Sequence, residues 1–400
     1  MRDAPRRGKD LMADQEGSIG DTPMVSGSEL RARIIDSLRS QGFSFDADGS
    51  LRPAPSDKDE LRALHASARA AAIERARPGL QRHEERLLRY FAEGSEIEPT
   101  AIRPRLYEIQ ANSEEELLFR YARLHWSIPV SAGYGRRLRF LVFDESNGKV
   151  MGLFGLGDPV FALKPRDTWI GWTRADRRQR IKYMMDAFLV GAVPPYSMLL
   201  CGKFIAMLLV SEEVREAFSR KYGGSNSLIS DQRFDGQLAL VTTASALGRS
   251  SVYNRLTWDG RRLLTSVGYS SGSGDFHFSN GIYKDLLAYA RTHLEPSAKN
   301  PQWGNGWRNR REVVRRSLRN LGLSPDLVYH GVRREIFVAP LASNTREFLR
   351  GESQHLHPFQ LTMDTLFDRF RERWLLPRAE RDERYRAFSR QSLRLWSPIP

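Results

Sequence analysis

The stretch AFLVGAVPPYSMLLCGKFIAMLLV, residues 187–210, decides the fold. It is apolar enough to resemble a membrane span, but it contains Pro194-Pro195 and Lys203 near its middle. Proline ends regular hydrogen bonding, and a lysine is costly at the centre of a bilayer. We therefore interpret the stretch as a buried strand, a turn and a buried helix, with Gly202 and Lys203 at the start of the helix.

A second segment, LALVTTASALGRSSVYNRL (238–256), has the same organisation. Leu238 to Thr243 predict a strand, and the residues after Gly248 predict a helix with Arg249 and two serines in its first turn. The free amide groups and the positive dipole end of such a turn favour an anion. The alternative is a well-capped helix without a ligand, because serine and glycine are ordinary capping residues.

The two predicted helix starts follow neighbouring strands, so we expect them at the same edge of one sheet. Each carries a cation, and a nucleic-acid phosphate or a cofactor pyrophosphate would fit; the cofactor itself is unknown. The predicted binding residues are Gly202, Lys203, Gly248, Arg249, Ser250, Ser251, Asn254 and Arg255.

Charge points to a polyanionic partner. The 400 residues carry a formal net charge of +14, and nine of the 62 basic residues are lysine, which leaves 53 arginines. An arginine-rich, GC-biased genome would give the same preference for arginine. The segment RREVVRRSLRNLGL (310–323) predicts a basic amphipathic helix. We expect it to contact nucleic acid, DNA rather than RNA, unless it is merely a solvated face; the candidate residues are Arg308, Arg310, Arg311, Arg315 and Arg316.

The segment GSGDFHF (272–278) holds the candidate catalytic pair. As a strand it would place Asp275 and His277 on one face, where they could polarise a nucleophile, help to bind a metal or hold a base. The alternative is a hydrogen-bonded pair at a strand end. The single cysteine, Cys201, excludes an intramolecular disulfide, and the eight histidines show no metal spacing, so no metal site is predicted.

We predict an α+β protein: a mixed sheet flanked by helices, with a helical N-terminal region and a basic α/β C-terminal region. The expected segments are a disordered N-terminus (1–27), the helical region (28–99), the core domain (100–295) and the basic region (296–400). The first residues lack the apolar run of a secretory signal, so we expect a cytoplasmic protein.

The order of a hairpin, a strand, a glycine turn, a helix, a strand, a helix and a strand resembles the core of the GNAT acyltransferase superfamily. The resemblance implies a coenzyme A thioester at Gly202-Lys203 and a general acid at Tyr253. The Arg/Gln-x-x-Gly-x-Gly/Ala pattern usual in that superfamily is absent.

Four motifs in order resemble the DruA family of the Druantia anti-phage system, over about residues 100–295. They are DPVFALKPRDTWIGW (158–172), MMDAFLVGAVPPYSMLLCGK (184–203), TTASALGRSSVYNRL (242–256) and GYSSGSGDFHFSNGIY (268–283). The resemblance implies a bacterial defence component that works beside a helicase-like partner on phage nucleic acid, and it implies no particular reaction.

Three functions therefore remain open. The favoured one is a defence component that engages nucleic acid, and the second is an acyltransferase that uses a coenzyme A thioester. The third is a metal-assisted nuclease with Asp158, Asp275 and His277, placed last because these carboxylates are too few to hold two metal ions. Whether the chain is an enzyme is left undecided.

Overall fold

The computed structural model describes residues 26–52, 57–130, 135–224, 234–296 and 307–397, with the backbone alone at 307 and 308. The predicted disordered segment 1–27 lies outside these residues, apart from its last two. In the described part, the helices are α1 (Gly27–Ser40), α2 (Lys58–Leu80), α3 (Glu84–Leu88), α4 (Glu114–Ala122), α5 (Lys164–Ile170), α6 (Arg174–Arg180), α7 (Gly202–Met207), α8 (Glu212–Tyr222), α9 (Ile282–His293), α10 (Trp307–Asn320), α11 (Thr345–Arg350), α12 (Met363–Phe370) and α13 (Leu376–Arg381).

The strands of the described residues are β1 (Pro104–Glu108), β2 (Arg137–Asp144), β3 (Lys149–Gly157), β4 (Met184–Ala192), β5 (Leu240–Ala244), β6 (Thr257–Trp258), β7 (Arg261–Arg262), β8 (Thr265–Tyr269) and β9 (Glu335–Pro340). Seven of them form one sheet in the order β1-β2-β3-β4-β5-β9-β8, and β6 and β7 pair as a separate small hairpin. The pairing is antiparallel except between β4 and β5. The α+β prediction is confirmed.

The parallel pair separates at its carboxyl end. β4 and β5 are in register from Met184↔Leu240 to Ala187↔Thr243, after which β4 continues to Ala192 paired only with β3. The chain leaves β4 through Pro194-Pro195 into α7 and leaves β5 into the segment 245–256. Both predicted helix starts therefore follow the diverging strand ends.

Buried apolar side chains cover both faces of the sheet, and a further core is helical. In the helical core, Leu30 and Ile34 of α1 pack with Leu286 of α9 and with Val313 and Val314 of α10. The apolar stripe predicted for the basic helix is confirmed, because Val313, Val314 and Leu318 are fully buried. The helical N-terminal region thus shares a core with helices from residues 282–320.

β9 comes from the segment 296–400 but lies between β5 and β8, inside the sheet of the segment 100–295. All five residues of β5, Leu240 to Ala244, pair with it. The basic C-terminal segment therefore completes the core sheet instead of standing beside it.

Two local predictions are wrong. Residues 250–256 do not form an α-helix; a single 3-10 turn, Tyr253–Arg255, stands there. The strand expected through 272–278 ends at Tyr269, and Phe276–Phe278 is also a 3-10 turn. Gly272 explains the second break, because its φ is +69° and it packs directly on the backbone of Gly331.

Candidate nucleic-acid interface

Lys203 joins the two segments expected at one edge of the sheet. It lies in the first turn of α7, and only 9% of it is exposed. Its Nζ donates to the carbonyl oxygens of Ser251 and Val252, at 3.4 and 3.3 Å. The expected proximity of the two segments is confirmed, although the lysine meets backbone carbonyls at the second turn.

Two arginines lie near the Lys203 ammonium group. Burial is the largest cause that lowers the pKa of Lys203, and the positive charges of Arg255 and Arg373 lower it further. Both arginines are exposed, and Arg373 donates from Nη1 to Thr257 Oγ1 at 2.9 Å. No ion pair between described residues includes any of the three cations. Positive charge is therefore concentrated here, and no described carboxylate forms an ion pair with it.

Trp374 completes this group, which we call the Lys203 cluster: Lys203, Arg255, Arg373 and Trp374. The indole is partly exposed, with Lys203 Nζ 5.6 Å and the Arg373 guanidinium carbon 4.7 Å from its ring centroid. Phe370 stacks on it from within the core, with the centroids 6.3 Å apart. A supported indole among cations suits a nucleobase next to its phosphate.

A π-helical turn, Arg371–Leu375, presents Arg373 and Trp374 between α12 and α13. Pro377 has no amide hydrogen to donate to the Arg373 carbonyl, so a regular α-helix cannot continue through this point. Such turns are frequent at functional sites. The sequence analysis missed both residues; the available signal was a proline three residues after a tryptophan in an arginine-rich helix.

The turn after Gly248 already binds an anion from the same chain. The Glu335 carboxylate accepts from the backbone amide of Ser250 at 3.0 Å and from Asn254 Nδ2 at 3.2 Å. Glu335 is 5% exposed and lies at the start of β9. The anion expected at Ser250 and Asn254 is thus supplied by a residue that the sequence analysis did not consider.

Arg249 is exposed and forms no hydrogen bond or ion pair with any described residue. A bound phosphate is the expected partner of Arg249; Asp275, the alternative partner, pairs instead with Arg310. Ser251 is exposed and contributes its carbonyl to Lys203, while Gly248 has a positive φ of 58° in the turn. Gly202 stands at the start of α7, and a Cβ added there would lie 3.8 Å from the Ala192 amide nitrogen, an ordinary contact.

The candidate catalytic residues have structural partners. His277 is fully buried, its Nε2 lies 2.8 Å from the Leu327 carbonyl oxygen, and burial lowers its pKa to about 4. Tyr253 packs edge-on against Phe337 in the sheet core, and burial raises its pKa to about 12. Tyr253 therefore lies in a different core from His277, and the three predicted catalytic residues do not converge.

The arginines of α10 are largely engaged within the chain. Arg310 binds Asp275 and lies 3.7 Å from the Tyr283 ring centroid. Arg316 donates to the Glu295 carbonyl oxygen at 2.5 Å, and Arg315 lies 3.8 Å from Asp326.

The two remaining candidates on α10 differ in what the structure describes. Arg311 stands 5.6 Å from the ring of Tyr329. The side chain of Arg308 lies outside the described residues.

Three buried histidines surround Phe276, and the sequence analysis missed two of them. His65 stacks on the Phe276 ring at 4.0 Å, and His330 meets it edge-on at 4.7 Å. Arg334 donates to His65 at 3.3 Å. Burial lowers the pKa of His65 to about 4 and that of His330 to about 3. Their approach depends on contacts between distant segments, for which the sequence gives no local signal.

A metal centre receives no support from the described residues. They contain no group of three or more His, Cys, Asp or Glu side chains that could hold a metal ion. Asp158 instead accepts from Arg136 Nε at 2.6 Å, and Cys201 is fully buried, which raises the pKa of its thiol. None of the described helices has both the length and the apolar character needed to cross a membrane.

Comparisons with known proteins agree on one family. The pattern of the family described as Druantia protein DruA matches residues 55–351. A protein described as Druantia protein DruA, from Escherichia coli (strain UMEA 4076-1), is 38% identical over 367 residues, which cover 92% of this chain and 91% of that protein. No solved structure matches, so the likeness to the GNAT fold stays a prediction.

Proposed function

The chain belongs to the Druantia DruA family, and from that premise we propose that it serves anti-phage defence by binding nucleic acid at the Lys203 cluster. The family supports the defence role. The proposal includes a helicase-like protein of the same defence system as a partner, which the family resemblance implies, and DNA as the favoured nucleic acid.

One observation carries the proposal: Lys203 and Arg373 flank the Trp374 ring, Arg255 adds its charge near Lys203, and none of the three cations takes part in an ion pair between described residues. The positive charges of Arg255 and Arg373 disfavour the charge on Lys203, and the burial of Lys203 increases the cost. A phosphate between Arg255 and Arg373 would relieve the repulsion. A base stacked on Trp374 would add a contact that does not depend on charge.

The coenzyme A alternative gains no specific support. Lys203, the cation expected to meet the cofactor, directs its ammonium group to the carbonyl oxygens of Ser251 and Val252. The amide of Ser250 in the second turn is bound to Glu335. Acyl transfer therefore stays a prediction from the GNAT resemblance.

The salt dependence of binding tests the proposal. Fluorescence anisotropy with labelled duplex and single-stranded DNA should show affinity that falls steeply with salt. The double variant R255Q/R373Q should make the log–log slope less negative by about 0.9 per lost contact on duplex DNA and about 0.7 on single strands. Trp374→Leu should weaken single-strand binding by about 1–3 kcal/mol and leave the slope unchanged.

The matched control is R315Q/R316Q. It also removes two positive charges, but from α10, where both arginines have partners within the chain. We expect its slope to equal that of the parent protein. A slope that changes only in the α10 variant would move the interface to the basic helix. A parent protein that binds neither DNA nor RNA would refute the proposal.

A further inference from the structure

Val160 and Phe161 form an exposed apolar tip after β3. Their exposed fractions are 45% and 40%, whereas the other large apolar side chains exposed in the described part of the chain are tyrosines, which have a hydroxyl to hydrate. Adjacent exposed valine and phenylalanine side chains gain nothing in stability from this position. Contiguous exposed apolar surface is a common feature of interaction sites.

The tip is held rigidly by a buried arginine. Arg166 is fully buried, and its guanidinium donates to the carbonyl oxygens of Val160 at 2.9 Å and Phe161 at 3.1 Å. Its Nε donates to Asp167 at 2.8 Å, and Asp167 also accepts from the Leu163 amide at 3.1 Å. A buried guanidinium is stable only with such complete pairing. The backbone of the tip is therefore fixed while its two side chains face solvent.

One cation contacts the tip, and three more follow it closely in the sequence. The Arg177 guanidinium lies 5.4 Å from the Phe161 ring centroid and pairs with Asp167 at 3.0 Å. Lys164 begins the next helix, and Arg174 and Arg178 lie one turn apart on α6; all three are exposed and take part in no ion pair with a described residue.

The acidic groups nearby are engaged. Asp158 binds Arg136, and Asp176 caps α6 by accepting from Thr173. An apolar tip next to Arg177 and close in sequence to exposed cations is complementary to a nucleic acid, whose base faces are apolar and whose backbone is anionic.

We propose that Val160 and Phe161 act as a wedge that enters a duplex between neighbouring base pairs and partly unstacks them, while Lys164, Arg174 and Arg178 contact the flanking phosphates. This inference rests on the proposed binding of nucleic acid. A preformed tip avoids the entropy cost of ordering a loop on binding. The wedge supplies local strand distortion, whereas the Lys203 cluster supplies a phosphate and base contact.

The experiment uses the full chain and duplexes that carry 2-aminopurine, a fluorescent adenine analogue whose emission rises when it is unstacked. Binding is followed in parallel by anisotropy. The parent protein should increase the emission. The double variant V160S/F161S should bind with an unchanged salt slope, because neither side chain contacts a phosphate, but the increase in emission should be lost.

Two further variants keep the result interpretable. Phe161→Trp, which retains a flat apolar group at the tip, should preserve the increase, and Tyr329→Ser, which removes an equally exposed ring elsewhere, should leave it unchanged. Thermal melting of each variant confirms folding. Binding with full unstacking by V160S/F161S would overturn the wedge and leave the proposed function standing, whereas a parent protein that binds no nucleic acid would overturn both. If V160S/F161S fails to fold, Phe161→Ser alone takes its place: loss of the emission increase in this folded variant supports the wedge, and a full increase overturns it.

Discussion

Glu335 shows how one residue changes the interpretation of a motif. The sequence around Gly248 to Asn254 is typical of an anion site, and an anion is indeed there, but it is a carboxylate 85 residues away in the chain. A second hydrogen bond ties the same junction, because Ser245 Oγ accepts from the Glu335 amide at 3.0 Å. The motif therefore joins β5 to β9 in the described structure.

The residue-scale prediction compares Glu335→Ala with Arg249→Ala. Glu335→Ala leaves the Ser250 amide and Asn254 Nδ2 without their acceptor, so the free energy of unfolding in urea should fall by about 1–3 kcal/mol. Arg249→Ala should leave it nearly unchanged, because Arg249 is exposed and makes no described contact. Equal stability of Glu335→Ala and the parent would show that the carboxylate is not needed by the fold and would return the turn to an external anion.

At the scale of elements, the buried histidines join α2 to the segments 275–278 and 330–335. His65, His277 and His330 have folded-state pKa values of about 4, 4 and 3, against an ordinary value of 6.5. Burial is the largest cause in each case, and Arg334 opposes a further positive charge on His65 and His330. Below about pH 6.5 these histidines are therefore protonated in the unfolded chain but stay neutral in the folded chain until the pH approaches 4.

This difference in proton binding predicts that the fold is sensitive to acid. As the pH falls from about 6.5 towards 4, the free energy of unfolding should drop by about 1.4 kcal/mol per pH unit for each of the three histidines. His330→Asn removes one of the three titrating groups, so the slope should become smaller by about 1.4 kcal/mol per pH unit. The variant should still fold, because the asparagine oxygen can accept from the Val332 amide as His330 Nδ1 does at 3.1 Å. Urea unfolding between pH 6.5 and 5 measures the difference, above the range where most carboxylates titrate. Parallel curves for both proteins would mean that His330 titrates in the folded state.

Local sequence signals identified the elements that depend on local chemistry. The buried strand and turn of 187–210 and the apolar stripe of α10 follow from periodicity and proline placement, and both are present. The signals failed where distant contacts decide. Where a helix was expected after Gly248, Glu335 from the distant strand β9 accepts from the Ser250 amide and from Asn254 Nδ2. Likewise, the strand expected through 278 ends early because Gly272 packs on Gly331.

At the scale of the whole molecule, segments distant in sequence complete one another. Of the predicted binding residues, Lys203 and Arg255 do lie together, since strand order alone brings their loops to one edge. Arg373 and Trp374 join them from a helical turn more than 100 residues later in the chain. No spacing of residues in the sequence predicts this contact. The segment 296–400 contributes β9 to the sheet and the π-helical turn to the Lys203 cluster.

This interdependence predicts that residues 100–295 do not fold alone. Without β9, β5 and β8 lose the strand that lies between them, and backbone groups from Leu240 to Ala244 lose their partners. Buried Phe337 and Val338 would also leave the core and expose the apolar side chains they cover. Circular dichroism of the isolated fragment should therefore show no cooperative thermal transition.

Co-expression with residues 296–400 as a separate chain should restore some cooperative folding, because β9 needs only to be present and not to be covalently linked. A fragment 100–295 that melts cooperatively by itself would show instead that β9 is dispensable and that the core is an independent domain.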